Sequence, residues 1–191
     1  MKVKHNFDTV AGTQEVFRLL LDALANPGRS VDLNFQISQF AANGRWLALA
    51  LTLLDNETGF YWDGPLETGE EIRFLSGAVQ VPLENADFVF LSSKDSPTQF
   101  LSQVKAGTHR DPHNSALIFI ASEGTADRYL RFKGPGIPPE GRNVPVSAIE
   151  AMWIKARDDQ GFEYPCGVEL IFIREDNTLL AVTRKAVVWP M

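Results

Sequence analysis

At 191 residues, with 45% hydrophobic and 22% charged side chains, the chain has the composition of a globular protein and the length to bury a sizeable core. Disordered and fibrous architectures are excluded, and one domain over residues 1–191 is the expectation. A formal net charge of −6, with lysines and arginines scattered along the chain, argues against a general nucleic-acid binder and against an anionic membrane surface as partner.

Taken in order, the N-terminal stretch has no apolar core of the secretory kind, and no window approaches ~18 uninterrupted apolar residues. A cytoplasmic location is expected. Val16, Leu19, Leu20, Ala23 and Leu24 recur at helical spacing behind Thr13 as N-cap, predicting a helix over Gln14 to Ala25 that Asn26-Pro27-Gly28 ends. Val31, Leu33, Phe35 and Ile37 alternate with polar residues and predict a strand with one wet face. Arg45 to Leu54 is apolar and rich in leucine and alanine, which favours a buried helix. Phe60-Tyr61-Trp62 reads as a short strand, Glu67 to Ser76 as a surface helix and Ala86 to Leu91 as an interior strand.

Pro97 to Lys105 predicts a proline-started helix, and Ser115 to Ala121 a strand covered on both faces. Tyr129 to Lys133 is another strand, broken by Gly134-Pro135-Gly136. Val146 to Arg157 contains a helix, and Val168 to Ile173 with Leu179 to Arg184 form an antiparallel hairpin across Asp176-Asn177. Helices interleave with strands up to residue 121 and strand pairs follow. The expected fold is therefore α/β, with a mixed central sheet and helices on its faces.

Few residues point to chemistry. Gly134, Pro135 and Gly136 follow a strand as the first glycines of a dinucleotide fingerprint would, but Pro138 and Pro139 occupy the helix start such a loop needs, so a structural turn is the reading. His109, Arg110 and His113 are candidates for gathering an anion, since a guanidinium offers a bidentate fork and protonated imidazoles can donate. The competing reading is a polar loop. Pro112 opposes a helix that would align the two histidines on a metal, so no metal site is expected. Cys166 is the single cysteine, which rules out a disulfide within one chain; with no histidine adjacent in sequence, it reads as a small, partly buried residue. No catalytic residue is assigned.

Several segments, in this order, resemble the PhnH subunit family of the bacterial carbon–phosphorus lyase system: Phe17-Arg18-x-Leu20 with Ala25-Asn26-Pro27-Gly28, Leu51 to Thr58, Gly107-Thr108 with Pro112, Leu130 to Ile137, and Tyr164-Pro165-x-Gly167-Val168-Glu169-Leu170-Ile171. Tyr164 and Glu169 stand where the family pattern has Phe and Asp, and His109-Arg110-Asp111 has no counterpart tied to function. The resemblance implies a single-domain, three-layer α/β sandwich, similar to the large domain of pyridoxal-phosphate-dependent transferases but without that cofactor or any other. It further implies a homodimer that joins the other core subunits of the carbon–phosphorus lyase. The implied role is accessory and non-catalytic, in a complex that couples a phosphonate to ribose triphosphate before the C–P bond is cut. A stand-alone enzyme, or a binding protein for a phosphorylated or phosphonate ligand, is the alternative.

Overall fold

The computed structural model describes residues 5–92 and 96–190. Helix α1 (Ala11–Ala25) begins earlier than Thr13 predicts, because Asp8 Oδ1 accepts from the N–H groups of Val10 and Ala11 at 2.8 and 3.0 Å and caps the first turn. Those two bonds hold the Asp8 carboxyl below its ordinary value. Beyond the turn at Gly28 comes strand β1 (Ser30–Asp32), shorter than the alternation predicts. Asp32 Oδ1 accepts from Asn34 N at 2.7 Å and bends the chain into the four-residue helix α2 (Asn34–Ile37). The expected facing is thereby reversed in part: Gln36 is buried and Phe35 is exposed.

The next elements are α3 (Gly44–Leu53), β2 (Gly59–Trp62), α4 (Leu66–Ser76), β3 (Val79–Gln80), β4 (Phe88–Leu91), α5 (Pro97–Leu101) and β5 (Leu117–Ser122). Helix α5 stops at Leu101, short of Lys105, although Val104 remains buried behind it. Strands β6 (Arg128–Lys133) and β7 (Arg142–Val146) precede α6 (Ala148–Asp159). The chain closes with β8 (Glu169–Arg174), β9 (Thr178–Val182) and β10 (Val187–Pro190).

Seven strands form one mixed sheet in the order β1-β9-β8-β5-β4-β2-β3, with β3, β2, β4, β5 and β8 parallel and β9 antiparallel to both of its neighbours, β8 and β1. Period-two alternation divides its side chains between two cores. Phe119 and Ala121 of β5 and Ile171 and Ile173 of β8 meet α1, α3 and α4. Ile118, Ile120, Leu170 and Phe172 meet α5, α6 and a second, three-stranded antiparallel sheet of order β10-β6-β7. Burial on both faces is why these strands read as continuous apolar runs. Strand β6 is thus the middle of the small sheet, with Leu130 and Phe132 facing the core.

Candidate functional site

A cleft of about 450 Å³ opens at the amino ends of β5 and β8, walled by five separate segments. Leu24 and Ala25 end α1, Pro112 and His113 form a short 3-10 turn, and Pro135 and Gly136 follow β6. Tyr164 and Pro165, joined by a cis peptide, and the run Thr183-Arg184-Lys185 after β9 complete it, with Glu169 on its floor.

Each wall has a local cause. Ile137 N donates to Gly134 O at 3.2 Å, and Gly136 has φ +77°, so Pro135-Gly136 occupies the centre of a hydrogen-bonded turn with the residue types that geometry favours. The turn lies tight against α1: a Cβ at Gly136 would stand 2.0 Å from Ala25 O. Arg142 on β7 donates to Asn26 O and Pro27 O at 3.0 and 2.7 Å, tying down the segment that leaves α1.

The floor is an ion pair. Arg184 Nε donates to Glu169 Oε1 at 2.7 Å while Arg184 N donates to Oε2 at 2.6 Å. Its remaining nitrogens donate to Pro112 O, Pro165 O and Ser115 Oγ at 3.0, 3.1 and 2.7 Å. One guanidinium therefore fixes three of the walls, and both charges of the pair are consumed in doing so. Lys185 behaves differently. Its Nζ lies 4.2 Å from the centre of the Tyr164 ring, a cation–π contact, and it has no hydrogen-bond or ion-pair partner among the described residues.

The three anion-binding candidates separate. His113 lines the cleft. Arg110 is exposed and makes no hydrogen bond or ion pair among the described residues. His109 turns toward Cys166: its Nδ1 lies 3.5 Å from Sγ, and its Nε2 lies 3.8 Å from Glu163 Oε2. Cys166 is half-buried, as a small packing residue would be, yet it has the histidine neighbour that 57 residues of separation conceal in sequence. A depression of about 220 Å³ beside it shares Tyr164 and Arg184 with the larger cleft. Among the described residues no group of three His, Cys, Asp or Glu side chains is placed to hold a metal ion. Lys185 carries no motif, and Tyr164 stands in the sequence only as part of the resemblance, with no role in a site; the fold brings both to the cleft.

The arrangement provides a small-molecule-sized volume, a neutralised floor, the Lys185 ammonium and the His113 imidazole at the rim, both without a hydrogen-bond or ion-pair partner among the described residues, and apolar surfaces on Leu24, Pro135, Tyr164 and Pro165. The family model of the bacterial phosphonate metabolism protein PhnH matches residues 5–188. A putative C-P lyase subunit protein, HtxG of Stutzerimonas stutzeri, is 29% identical over 164 residues, which cover 84% of this chain and 77% of that protein. Segments on which the sequence resemblance rests, those around Ala25, Pro112, Pro135-Gly136 and Tyr164-Pro165, converge on this one cleft.

Proposed function

The chain belongs to the PhnH family of bacterial phosphonate metabolism proteins, and from that premise we propose that it is an accessory subunit of a carbon–phosphorus lyase assembly. The match over residues 5–188 carries this reading, since it spans both cores and all the cleft walls. The name of the HtxG relative supports the same assignment. In this reading the assembly joins a phosphonate to ribose triphosphate, displacing the base of a nucleoside triphosphate, before a separate radical subunit breaks the C–P bond. It works in the cytoplasm, where nucleoside triphosphates are available.

The chemistry of the cleft supports an accessory rather than a catalytic role. Glu169, the one carboxylate among the described lining residues, accepts from Arg184 with both oxygens and serves to hold the loops together. Exposed apolar side chains support contacts with sister subunits and with a second copy of the chain: Phe17 and Leu21 one turn apart on α1, Phe35, Phe74, and Trp189 on the edge strand β10. The same reading includes one domain over residues 1–191 and a sandwich similar to the large domain of pyridoxal-phosphate-dependent transferases, to which the mixed sheet between two covered faces lends support.

The test is purification of the tagged chain from cells grown with a phosphonate as sole phosphorus source. Sister subunits in fixed stoichiometry are the expected outcome. Recovery as a lone dimer or monomer would overturn the assignment.

A further inference from the structure

We propose that the cleft at the amino ends of β5 and β8 binds a small organic anion with a dianionic tetrahedral head, a phosphonate or phosphate monoester. Lys185 Nζ and the His113 imidazole take the head, and Tyr164, Pro135 and Pro165 cover the organic part. The inference rests on the phosphonate-metabolism reading for the choice of phosphorus over other anions, and on the geometry for everything else.

Charge supplies the first argument. The lining includes four ionisable side chains besides Tyr164, namely His113, Glu169, Arg184 and Lys185. Glu169 and Arg184 cancel each other through two hydrogen bonds. What remains is the ammonium of Lys185 and a histidine, an excess of positive charge in a chain whose formal net charge is −6. A recess of that sign on an acidic surface selects anions.

Availability supplies the second. Neither Lys185 nor His113 has a hydrogen-bond or ion-pair partner among the described residues, so both can donate without breaking a native contact. Arg184, a stronger anion ligand in isolation, cannot, because its donors already serve Glu169, two carbonyls and Ser115. Lys185 is also held in place: packing on the Tyr164 ring reduces the rotamer freedom an ammonium loses on binding. Tyr164 is 61% exposed, leaving ring surface for the ligand.

Size supplies the third. About 450 Å³ falls within the range of small-molecule sites and exceeds what inorganic phosphate fills. A phosphate or phosphonate head carrying a compact organic group uses both the cationic rim and the apolar walls.

The probes are phenylphosphonate, phenyl phosphate, inorganic phosphate and benzoate, titrated calorimetrically into the full chain. Both phenyl compounds are expected to bind with similar affinity, and inorganic phosphate and benzoate at least tenfold more weakly. Lys185→Glu should weaken phenylphosphonate binding by roughly tenfold or more, as loss of a charge-assisted bond implies. Tyr164→Ala should weaken it by a smaller factor and erase the preference over inorganic phosphate. Both positions are exposed, so unchanged thermal unfolding serves as the folding control. Absence of saturable binding, benzoate binding as tightly as phenylphosphonate, or affinity indifferent to Lys185→Glu would each overturn the inference. Failure here leaves the subunit assignment standing where the chain still purifies with sister subunits. A chain that binds the probes but purifies alone keeps the cleft and loses the assembly.

Discussion

Strand β8 carries an ion pair at each end. At its carboxyl end Arg174 meets Glu150 on α6, with Nε at 2.7 Å from Oε1 and Nη2 at 2.9 Å from Oε2. At its amino end Glu169 meets Arg184 through one guanidinium contact, Nε to Oε1, and one from the Arg184 backbone N–H to Oε2. The partners differ in what else they hold. Glu150 Oε2 also accepts from Ser147 N at 3.0 Å while Ser147 Oγ accepts from Glu150 N at 3.2 Å, a reciprocal cap that starts α6. Arg184 gathers loops, as Arg174 gathers Ser30 and Pro145 at the other end through bonds of 3.1 and 2.8 Å, and the space between the Arg184 loops is the larger cleft. In open α/β sheets ligands usually sit outside the carboxyl ends of the strands. Here the carboxyl end of β8 has a depression of about 230 Å³ against about 450 Å³ at the amino end. The larger recess on β8 thus lies at its amino end, among the loops that Arg184 ties together.

The largest effect should come from the closed end. The Glu150 side chain is 1% exposed and that of Arg174 16%. Glu150→Ala leaves the Arg174 guanidinium, 16% exposed, with Ser30 Oγ and Pro145 O as its acceptors, and removes the half of the α6 cap that the Glu150 carboxylate makes. A loss of about 3 to 5 kcal/mol is expected in urea unfolding, with binding in the amino-end cleft unchanged in whatever fraction folds. A loss under ~1 kcal/mol would show that the two pairs are not ranked by burial.

Gly136→Ala attacks the open end through its backbone. The new Cβ would meet Ala25 O, a backbone atom, and φ +77° is strained for alanine. About 2 to 3 kcal/mol of destabilisation is expected, with a shift of the Pro135 wall away from α1. Glu169→Ala should cost less, about 2 kcal/mol, because the Glu169 side chain is 20% exposed against 1% for Glu150 and caps no helix, while Arg184 retains three other acceptors. It should also tighten phenylphosphonate binding, since the freed guanidinium adds to the positive rim. Glu150→Ala has no such second effect, and that contrast separates an architectural pair from one beside a site.

How much of this was legible depended on how local the cause was. Ser115 to Ala121 and Arg45 to Leu54 are uninterrupted apolar runs, and they became β5 and α3 because burial on nearly every side leaves no alternative. Val31 to Ile37 alternates as a strand should, but one hydrogen bond from Asn34 N to Asp32 ended it, which periodicity does not register. Strand β7 was hidden by Pro145, a residue a sheet admits where it needs no ladder donor; β7 pairs only with β6. The site was less legible than the fold. His113 and the Gly134-Pro135-Gly136 turn were visible as types, whereas Lys185 beside Tyr164 and His109 beside Cys166 depend on loops that Arg184, its distant acceptors and the Gly167 N to Ala106 O bond bring together.

The smallest effect is expected from a third pair that is neither buried nor beside the cleft. Lys105 Nζ lies 2.6 Å from Asp87 Oδ1, and Gly59 N donates to Asp87 Oδ2 at 2.9 Å, with the Asp87 side chain 45% exposed. Partial burial pushes the Asp87 carboxyl up, but the Lys105 ammonium and the Gly59 N–H together outweigh it and hold the group below its ordinary value. A carboxyl depressed in the folded state stabilises above its unfolded value, about 3.9, and loses that contribution as pH falls through the lower folded value. Asp87→Asn should therefore cost under ~1 kcal/mol at neutral pH, the discount reflecting solvent screening. The difference from the parent chain should close below about pH 4, where the parent carboxyl takes up its proton. If Asp87→Asn instead matched Glu150→Ala, burial would no longer explain the order of the three pairs, and coupling between β2, β4 and Lys105 would have to carry more of the stability than exposure allows.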